Sequence, residues 1–302
     1  MKFSHLLYKL IYQPNANFAL RNLNKYLIQF IHIGKLKLPP SGIFLLFTNS
    51  GTIKIATNQT SHISKLLYWQ GYAKFEYSVI IEKLAQKLHY FLDVGSNIGY
   101  YALLVAKANP NVKIYSFEPA KGPGHFLRKN IILNKLNEQI IHCNLALARQ
   151  EGEIAFYEVK SKKYPFLEFN LSGEHNAGTK KNPDMFIKTM VKSQRLDVFV
   201  ENEGLKQIDL IKLDTEGTEI HILNSGIRSI KQHRPIIICE ILFNVIESEL
   251  EVFFKNLEYL IFIYFEGVLK EVDSILRDKD DGIRNCFFVP PSKIYLIEEF
   301  IK

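Results

Sequence analysis

Cysteine is scarce: three residues in 302, with Cys143, Cys239 and Cys286 far apart and no C-x-x-C spacing. That scarcity excludes a disulfide-stapled secreted fold and a thiolate zinc site, and it predicts a reducing, cytoplasmic setting. Long apolar runs are missing too. The best, Gly42–Phe47 and Tyr259–Phe265, fall far short of the ~18 residues of a membrane span. No secretory signal is expected, because His5, Lys9 and Gln13 break the first apolar stretch and no small-residue cleavage pattern follows. Charge of one sign is in short supply: 38 basic against 31 acidic residues leave +7, scattered rather than gathered into a block. A solvated surface accounts for such a balance, and an anionic substrate, a membrane surface or nucleic acid would suit it about equally. No internal repeat is visible.

What is present is hydrophobic residue in quantity, 47% of the chain, enough for one large α/β domain with an appended segment. Residues 1 to about 38 mix Leu, Ile, Tyr and Phe with Lys, Arg and His at helical spacing and end at Pro39-Pro40. They read as one or two amphipathic helices capping the main domain, with a membrane-surface helix or a dimerisation arm as open alternatives. Ile43–Phe47 and Thr52–Ala56 flank a Thr-Asn-Ser-Gly turn and read as a β-hairpin. We place the boundary of this extension at residue 77, with the main domain over 78–302.

From Ser78 onward short apolar runs alternate with amphipathic stretches. Strands are expected at Tyr90–Val94, Val112–Phe117, Ile140–Leu145, Ile208–Asp214 and Pro235–Glu240. Helices are expected at Ser78–Tyr90, Tyr100–Ala108, Phe126–Asn134, Thr218–Gln232 and Val245–Asn256. Such alternation predicts an open, mostly parallel sheet covered by helices on both faces. Tyr259–Phe265 and Asn285–Val289 lack an ordinary helix between them and read as an antiparallel edge hairpin. The polar stretch Lys160 to Asp184 reads as a long loop of the kind that serves as a lid.

The chemistry-bearing residues cluster where parallel strands end. Phe91-Leu-Asp-Val-Gly-Ser-Asn-Ile-Gly99 runs an apolar strand into a glycine turn, nominating Asp93, Gly95, Ser96, Asn97 and Gly99 as ligand-binding residues. The turn lacks the third glycine of the dinucleotide fingerprint, which counts against a nicotinamide oxidoreductase. Ser116-Phe-Glu-Pro119 ends the next strand and puts Glu118, beside Pro119, where an acid can accept both hydroxyls of a ribose. Asn144 and Ala146 at the third strand end are candidates for an adenine wall. The fourth strand runs through Lys212 and Asp214 into Thr-Glu-Gly-Thr-Glu219. A strand period of two sets Lys212 and Asp214 on one face, and burial of either charge alone would cost several kcal/mol, so they are expected to pair. Asp214, Glu216 and Glu219 would crowd the mouth and Glu240 would end the fifth strand at the same rim. Three carboxylates can hold magnesium, but Lys212 competes as a cation, and no metal is expected.

Five separated motifs occur in order: Asp-Val-Gly-Ser-Asn-Ile-Gly-Tyr-Tyr from Asp93, Phe-Glu-Pro at 117–119, Leu-Arg-Lys-Asn-Ile-Ile-Leu-Asn over 127–134, Ile-Asp-Leu-Ile-Lys-Leu-Asp-Thr-Glu-Gly-Thr-Glu from Ile208, and Arg-Pro-Ile-Ile-Ile-Cys-Glu ending at Glu240. Together they resemble the FkbM-type methyltransferase family over roughly residues 88 to 242. The resemblance implies the class I, Rossmann-like methyltransferase fold, S-adenosylmethionine as methyl donor, and O-methylation of hydroxyl groups on sugars, glycans or polyketides. Ser96 stands where many relatives carry Ala.

A neutral hydroxyl needs a proton acceptor as the methyl arrives. Asp214 or Glu216 is the expected base, Lys212 the support for the carboxylates, Glu240 the residue that orients the acceptor, and His175 in the long loop an alternative base. A non-catalytic nucleoside-binding module on the same fold is the other rival. A nucleic-acid methyltransferase would want an Asn/Asp-Pro-Pro-Tyr-type motif where this chain has Asp-Thr-Glu-Gly, so no nucleic-acid partner is expected. The acceptor is expected to be a small molecule or a glycan.

Overall fold

A computed structural model describes residues 3–30, 37–161, 163–172 and 186–302. Two helices open the chain, α1 (Phe3–Ile11) and α2 (Pro14–Phe30). Pro14 occupies the first helical position, where the missing N–H has no partner to lose. The hairpin of β1 (Gly42–Thr48) and β2 (Gly51–Thr57) follows in full antiparallel register. After it come α3 (His62–Gln70), capped by the Ser61 hydroxyl accepting from the Ser64 N–H at 3.2 Å, and α4 (Ser78–Ala85).

The alternating region begins with β3 (Tyr90–Val94), α5 (Tyr100–Ala108), β4 (Lys113–Phe117), α6 (Lys121–Asn134) and β5 (Ile140–Cys143). Next come β6 (Ala146–Leu147), β7 (Gly152–Val159) and β8 (Phe186–Gln194). The chain ends with α7 (Leu196–Asn202), β9 (Leu210–Leu213), α8 (Glu219–Ser225), α9 (Ile227–His233), β10 (Ile236–Glu240), α10 (Glu247–Asn256), β11 (Leu260–Phe265), β12 (Val268–Glu271) and β13 (Asn285–Val289).

Eight strands form the main sheet in the order β12-β11-β13-β10-β9-β3-β4-β5. The five from β10 to β5 are parallel, and β13 enters antiparallel between β10 and β11. The antiparallel pairing expected for 259–265 with 285–289 is present, but the edge belongs to β12, which the sequence reading did not include. Both faces of the parallel strands are buried, so their sequences are continuous apolar runs rather than alternating ones. Phe91, Ile114, Leu210 and Ile236 face α4, α5 and the N-terminal hairpin in one core; Leu92, Tyr115, Ile211 and Ile237 face α7 to α10 in the other. Phe44, Leu46, Ile53 and Ile55 of the hairpin share the first core with Ile81 and Leu104, so apolar packing runs without a break across the expected boundary at residue 77.

Three differences from the sequence reading have local causes. The helix expected over Thr218–Gln232 breaks at Gly226, where Leu196 presses so close that an added Cβ would lie 2.3 Å from its Cδ2. Helix α6 starts at Lys121, five residues before the expected Phe126, because Pro123 falls in the first turn, where proline is tolerated. Strands β7 and β8, which flank the expected loop Lys160 to Asp184 and were not among the expected strands, pair antiparallel and with β6 form a separate three-stranded sheet. Cys239 and Cys286, distant in sequence, are direct cross-strand neighbours as buried free thiols. Burial pushes both well above the ordinary thiol range, which keeps them protonated and unreactive.

The motif over 127–134 has a structural task. Asn130, fully buried, accepts from the Ala56 N–H at 2.7 Å and donates to the carbonyls of Ile98 at 3.0 Å and Ala56 at 3.3 Å. One turn on, Asn134 accepts from the Lys54 N–H at 2.9 Å and donates to the Lys54 carbonyl at 2.7 Å. Two side-chain amides thus act as a substitute strand along the free edge of β2, an edge that would otherwise be open to another chain. Asn130→Ala strands three interior backbone groups, and we expect it to cost about 3 kcal/mol or more, given ~1–3 kcal/mol per buried unsatisfied group. Urea unfolding followed by circular dichroism will measure the loss.

Candidate active site

The sheet opens at the carboxyl ends of β3 and β9, neighbouring strands whose following helices, α5 and α8, pack on opposite faces. There the chain surrounds a cavity of about 570 Å³, within the ~300–1,000 Å³ usual for small-molecule sites. Its floor is the turn after β3. Gly95 has φ +74°, and a Cβ there would fall 1.9 Å from the Asp214 carbonyl oxygen, so only glycine lets the ends of β3 and β9 lie this close. The N–H groups of Gly95 and Ser96 both donate to the Phe117 carbonyl at 3.1 Å, and the Ser96 hydroxyl donates to the Asp93 carbonyl at 2.6 Å. Asn97 is held left-handed at φ 51°. Its Oδ1 is buried in the cavity wall without a hydrogen-bond partner.

Glu118 stands opposite. The backbone N–H of Asn97 donates to its Oε2 at 2.9 Å and that of Ala120 to its Oε1 at 2.8 Å, fixing the carboxyl while leaving lone pairs on both oxygens. Burial pushes Glu118 up to about 7 against the pull of those two N–H groups.

A polar row crosses the otherwise apolar sheet at this level. His142, Ser116, Asp93 and Lys212 are successive cross-strand neighbours on β5, β4, β3 and β9. The Lys212 ammonium lies 3.7 Å from Asp93 Oδ1 and 3.2 Å from Asp214 Oδ2, with Asp93 and Lys212 almost wholly buried and Asp214 40% exposed. Burial alone would pull Lys212 down, yet Asp214 and Asp93 outweigh it and hold the ammonium above the ordinary lysine range. Lys212 also sits 5.6 Å above the Tyr101 ring, whose hydroxyl donates to Glu76 Oε2 at 2.6 Å.

The structure distributes the nominated residues unevenly. Gly95, Ser96, Asn97, Glu118, Pro119, Ala146, Lys212, Asp214, Glu216 and Glu240 line the cavity together. Asp93, Gly99 and Asn144 lie off that wall. Asp93 lies behind Lys212 and Ser96, and Gly99 caps α5 in a left-handed conformation against Leu127. His175 falls outside the described residues. Glu219 is buried, not at the mouth, where it accepts from the Thr215 N–H at 2.7 Å and the Gly217 N–H at 3.0 Å and braces the turn. Glu216 occupies that turn with φ 60°. One oxygen each of Asp214, Glu216 and Glu240 lie within 4.8 Å of one another, and the chain's own Lys212 ammonium already sits against Asp214. Crowding by Asp214, Glu216 and Glu219, added to burial, pushes the Glu240 carboxyl strongly upward.

Several cavity residues escaped the sequence reading. Glu76, at φ 42° between α3 and α4, reaches the acidic end from outside the sheet; burial pushes its carboxyl up. Its one mark in the sequence is to be the first acidic residue of the chain. Phe156 and Tyr157 on β7, together with Asn170, Leu171 and Ser172, form a roof over the cavity. Strand alternation over Gly152–Val159 was the signal available for β7; no local pattern marks its position over the cavity.

The methyltransferase FkbM domain model matches residues 93–278, more than half of the chain. The chain is 27% identical over 158 residues to methyltransferase sdnD of Sordaria araneosa, covering 44% of this chain and 59% of that one. It is 24% identical over 147 residues to the 31-O-demethyl-FK506 methyltransferase FkbM of Streptomyces tacrolimicus, covering 43% and 56%. The match therefore spans less than two thirds of the length of either relative. Among solved structures, methyltransferase FkbM from Methylobacillus flagellatus aligns with a TM-score of 0.43 and 13% identity over 67% of this chain and 43% of that one.

S-adenosylmethionine is the cofactor of this family, and the residues present fit it. The carboxyl of Glu118 can accept from two ribose hydroxyls, the unpartnered Asn97 Oδ1 awaits a donor, and the acids around Asp214 suit the cationic end of such a molecule. The strand-end glycine turn, the acid closing the second strand, the buried Lys212 between two aspartates and the match across residues 93–278 agree: this chain belongs to the FkbM-domain methyltransferase family.

Proposed function

We propose that the protein transfers the methyl group of S-adenosylmethionine to a hydroxyl oxygen of a sugar, glycan or related natural product. The observation that carries this reading is one continuous cavity with a nucleoside-accepting end at Glu118 and Asn97 and an acidic end at Asp214, Glu216, Glu240 and Glu76. When bound, the cofactor supplies a methyl group on a sulfonium, electrophilic enough for displacement by an aligned oxygen. Its alignment is the chain's contribution, and for such reactions positioning supplies much of the rate.

At the acidic end the carboxyls have separate tasks. Asp214, partly exposed to the cavity and held by Lys212 at 3.2 Å, is the proton acceptor for the attacking hydroxyl. Glu240, pushed up by burial and its acidic neighbours, keeps its proton and donates it as a hydrogen bond that orients the acceptor oxygen. Glu216 and Glu76 complete the wall, Glu76 steadied by the Tyr101 hydroxyl. Lys212 and Asp93 are positioning residues that act through Asp214. The FK506 methyltransferase named above acts at an oxygen, as its name states, and that supports the choice of a hydroxyl here. A nicotinamide oxidoreductase finds no support in a family match to methyltransferases.

Asp214→Asn is expected to abolish methyl transfer in a labelled-donor assay at saturating donor while circular dichroism stays close to wild type; normal turnover would remove Asp214 as the base. Because Glu118 is pushed up to about 7 and ribose hydroxyls favour its ionised form, affinity for S-adenosylhomocysteine should fall as pH drops below about 7 and level off above it. Glu118→Gln should weaken binding about tenfold or more, given ~1.5–3 kcal/mol for a hydrogen bond to a charged group, and should flatten that pH profile in calorimetry.

A further inference from the structure

The basic excess is not spread along the chain. Residues 1–75 hold nine Lys and Arg and no Asp or Glu, while the remainder holds 29 basic against 31 acidic residues. The net positive charge therefore belongs entirely to the first 75 residues. An expectation of scattered charge does not survive this division.

Helix α2 is inverted with respect to an ordinary surface helix. Its inward side is polar. Asn17 accepts from the Ser41 N–H at 2.8 Å and donates to the Pro39 carbonyl at 3.2 Å. Arg21 donates to the Ile43 carbonyl at 3.1 Å and lies 4.9 Å over the Tyr68 ring, and Asn24 accepts from the Leu38 N–H at 3.1 Å. Leu20, Leu23 and Leu27 are turned outward instead, Leu23 at 53% exposure. Helix α1 repeats the pattern: Tyr8 packs edge-on to Tyr164 at 5.4 Å, while Leu6, Leu7 and Leu10 are exposed, Leu10 at 61%. Lys9 and Lys25 are exposed on the same two helices. Hydrogen bonds to backbone hold α2 on the body of the protein, so its apolar side chains are not needed there and face the medium.

We propose that α1 and α2 form a peripheral docking surface for an anionic phospholipid bilayer. Exposed leucines beside lysines with no acidic residue among them match the interfacial helix that lies in the headgroup plane, apolar side chains in the acyl boundary and cations at the phosphates. A second copy of the chain is the poorer occupant, because self-pairing would set cation against cation with nothing to offset them. Nucleic acid would use the charge but leave the leucines in water. The inward side of α1 packs on Tyr164, in the segment that continues to Asn170, Leu171 and Ser172 on the cavity wall. This proposal does not depend on the chemistry assigned above.

Co-sedimentation with vesicles of equal parts phosphatidylcholine and phosphatidylglycerol, beside vesicles of phosphatidylcholine alone, tests it. The full chain should bind the anionic vesicles and lose binding as salt rises. Lys9→Gln with Lys25→Gln should weaken binding roughly thirtyfold, and Leu20→Ser with Leu23→Ser and Leu27→Ser should remove it while affinity for S-adenosylhomocysteine stays unchanged. Equal partition into both vesicle types, full binding by the triple serine variant, or no vesicle binding together with a dimer in light scattering that the same variant disperses, would overturn the proposal.

Discussion

The ion network of Asp93, Lys212 and Asp214 is the constraint on which the rest of the cavity depends. A lysine in the middle of a parallel sheet is taken wholly out of water, and an unpaired charge there would cost several kcal/mol. Asp93 on the adjacent strand and Asp214 just past the strand end meet that cost from two sides. In doing so they tie the end of β3 to the end of β9. Gly95 lets the two ends approach, because any side chain at that position would strike the Asp214 carbonyl. The Gly95–Gly99 turn, the orientation of Asp214 and the opening at the ends of β3 and β9 all take their geometry from this pair of strands.

Around that centre the fold separates two electrostatic environments within one cavity. At the nucleoside end a single carboxyl, Glu118, is buried but held by two backbone N–H groups, which keep it near the boundary between its protonated and ionised forms. Acidic groups crowd the other end, where burial first and then repulsion from Asp214, Glu216 and Glu219 push the Glu240 carboxyl up, while Lys212 lies against Asp214. Carboxyls of one residue type, a few ångströms apart, are thus given different electrostatic settings by burial and neighbours.

The N-terminal extension joins the body by polar means as much as apolar ones. Asn130 and Asn134 of α6 complete the edge of β2, and Asn17, Arg21 and Asn24 of α2 complete the backbone around residues 38–43. Backbone groups that a larger sheet would have paired are satisfied by side-chain amides and a guanidinium. That economy leaves leucine on the outside of α2, where the charge of the first 75 residues gives it a setting of its own.

Much of the site was legible along the chain because it is built from strand ends. A buried strand runs straight, so residues just past Val94, Phe117 and Leu213 must converge on one edge of a parallel sheet, and Gly95, Glu118 and Asp214 could be placed there from the order of apolar runs alone. The pairing of Lys212 with Asp214 followed from the period of a strand and the cost of a buried charge. What the sequence could not decide is anything set by packing between distant segments. Glu76 enters the acidic end because the hairpin and α4 share a core with α5; β7 covers the cavity because it pairs with β8 across a long connection; Asp93 acts behind Lys212 rather than at the wall because the register of β3 and β9 puts them side by side. Local periodicity encodes the direction and burial of each element, whereas the closure of one element over another is fixed only when the whole core is assembled.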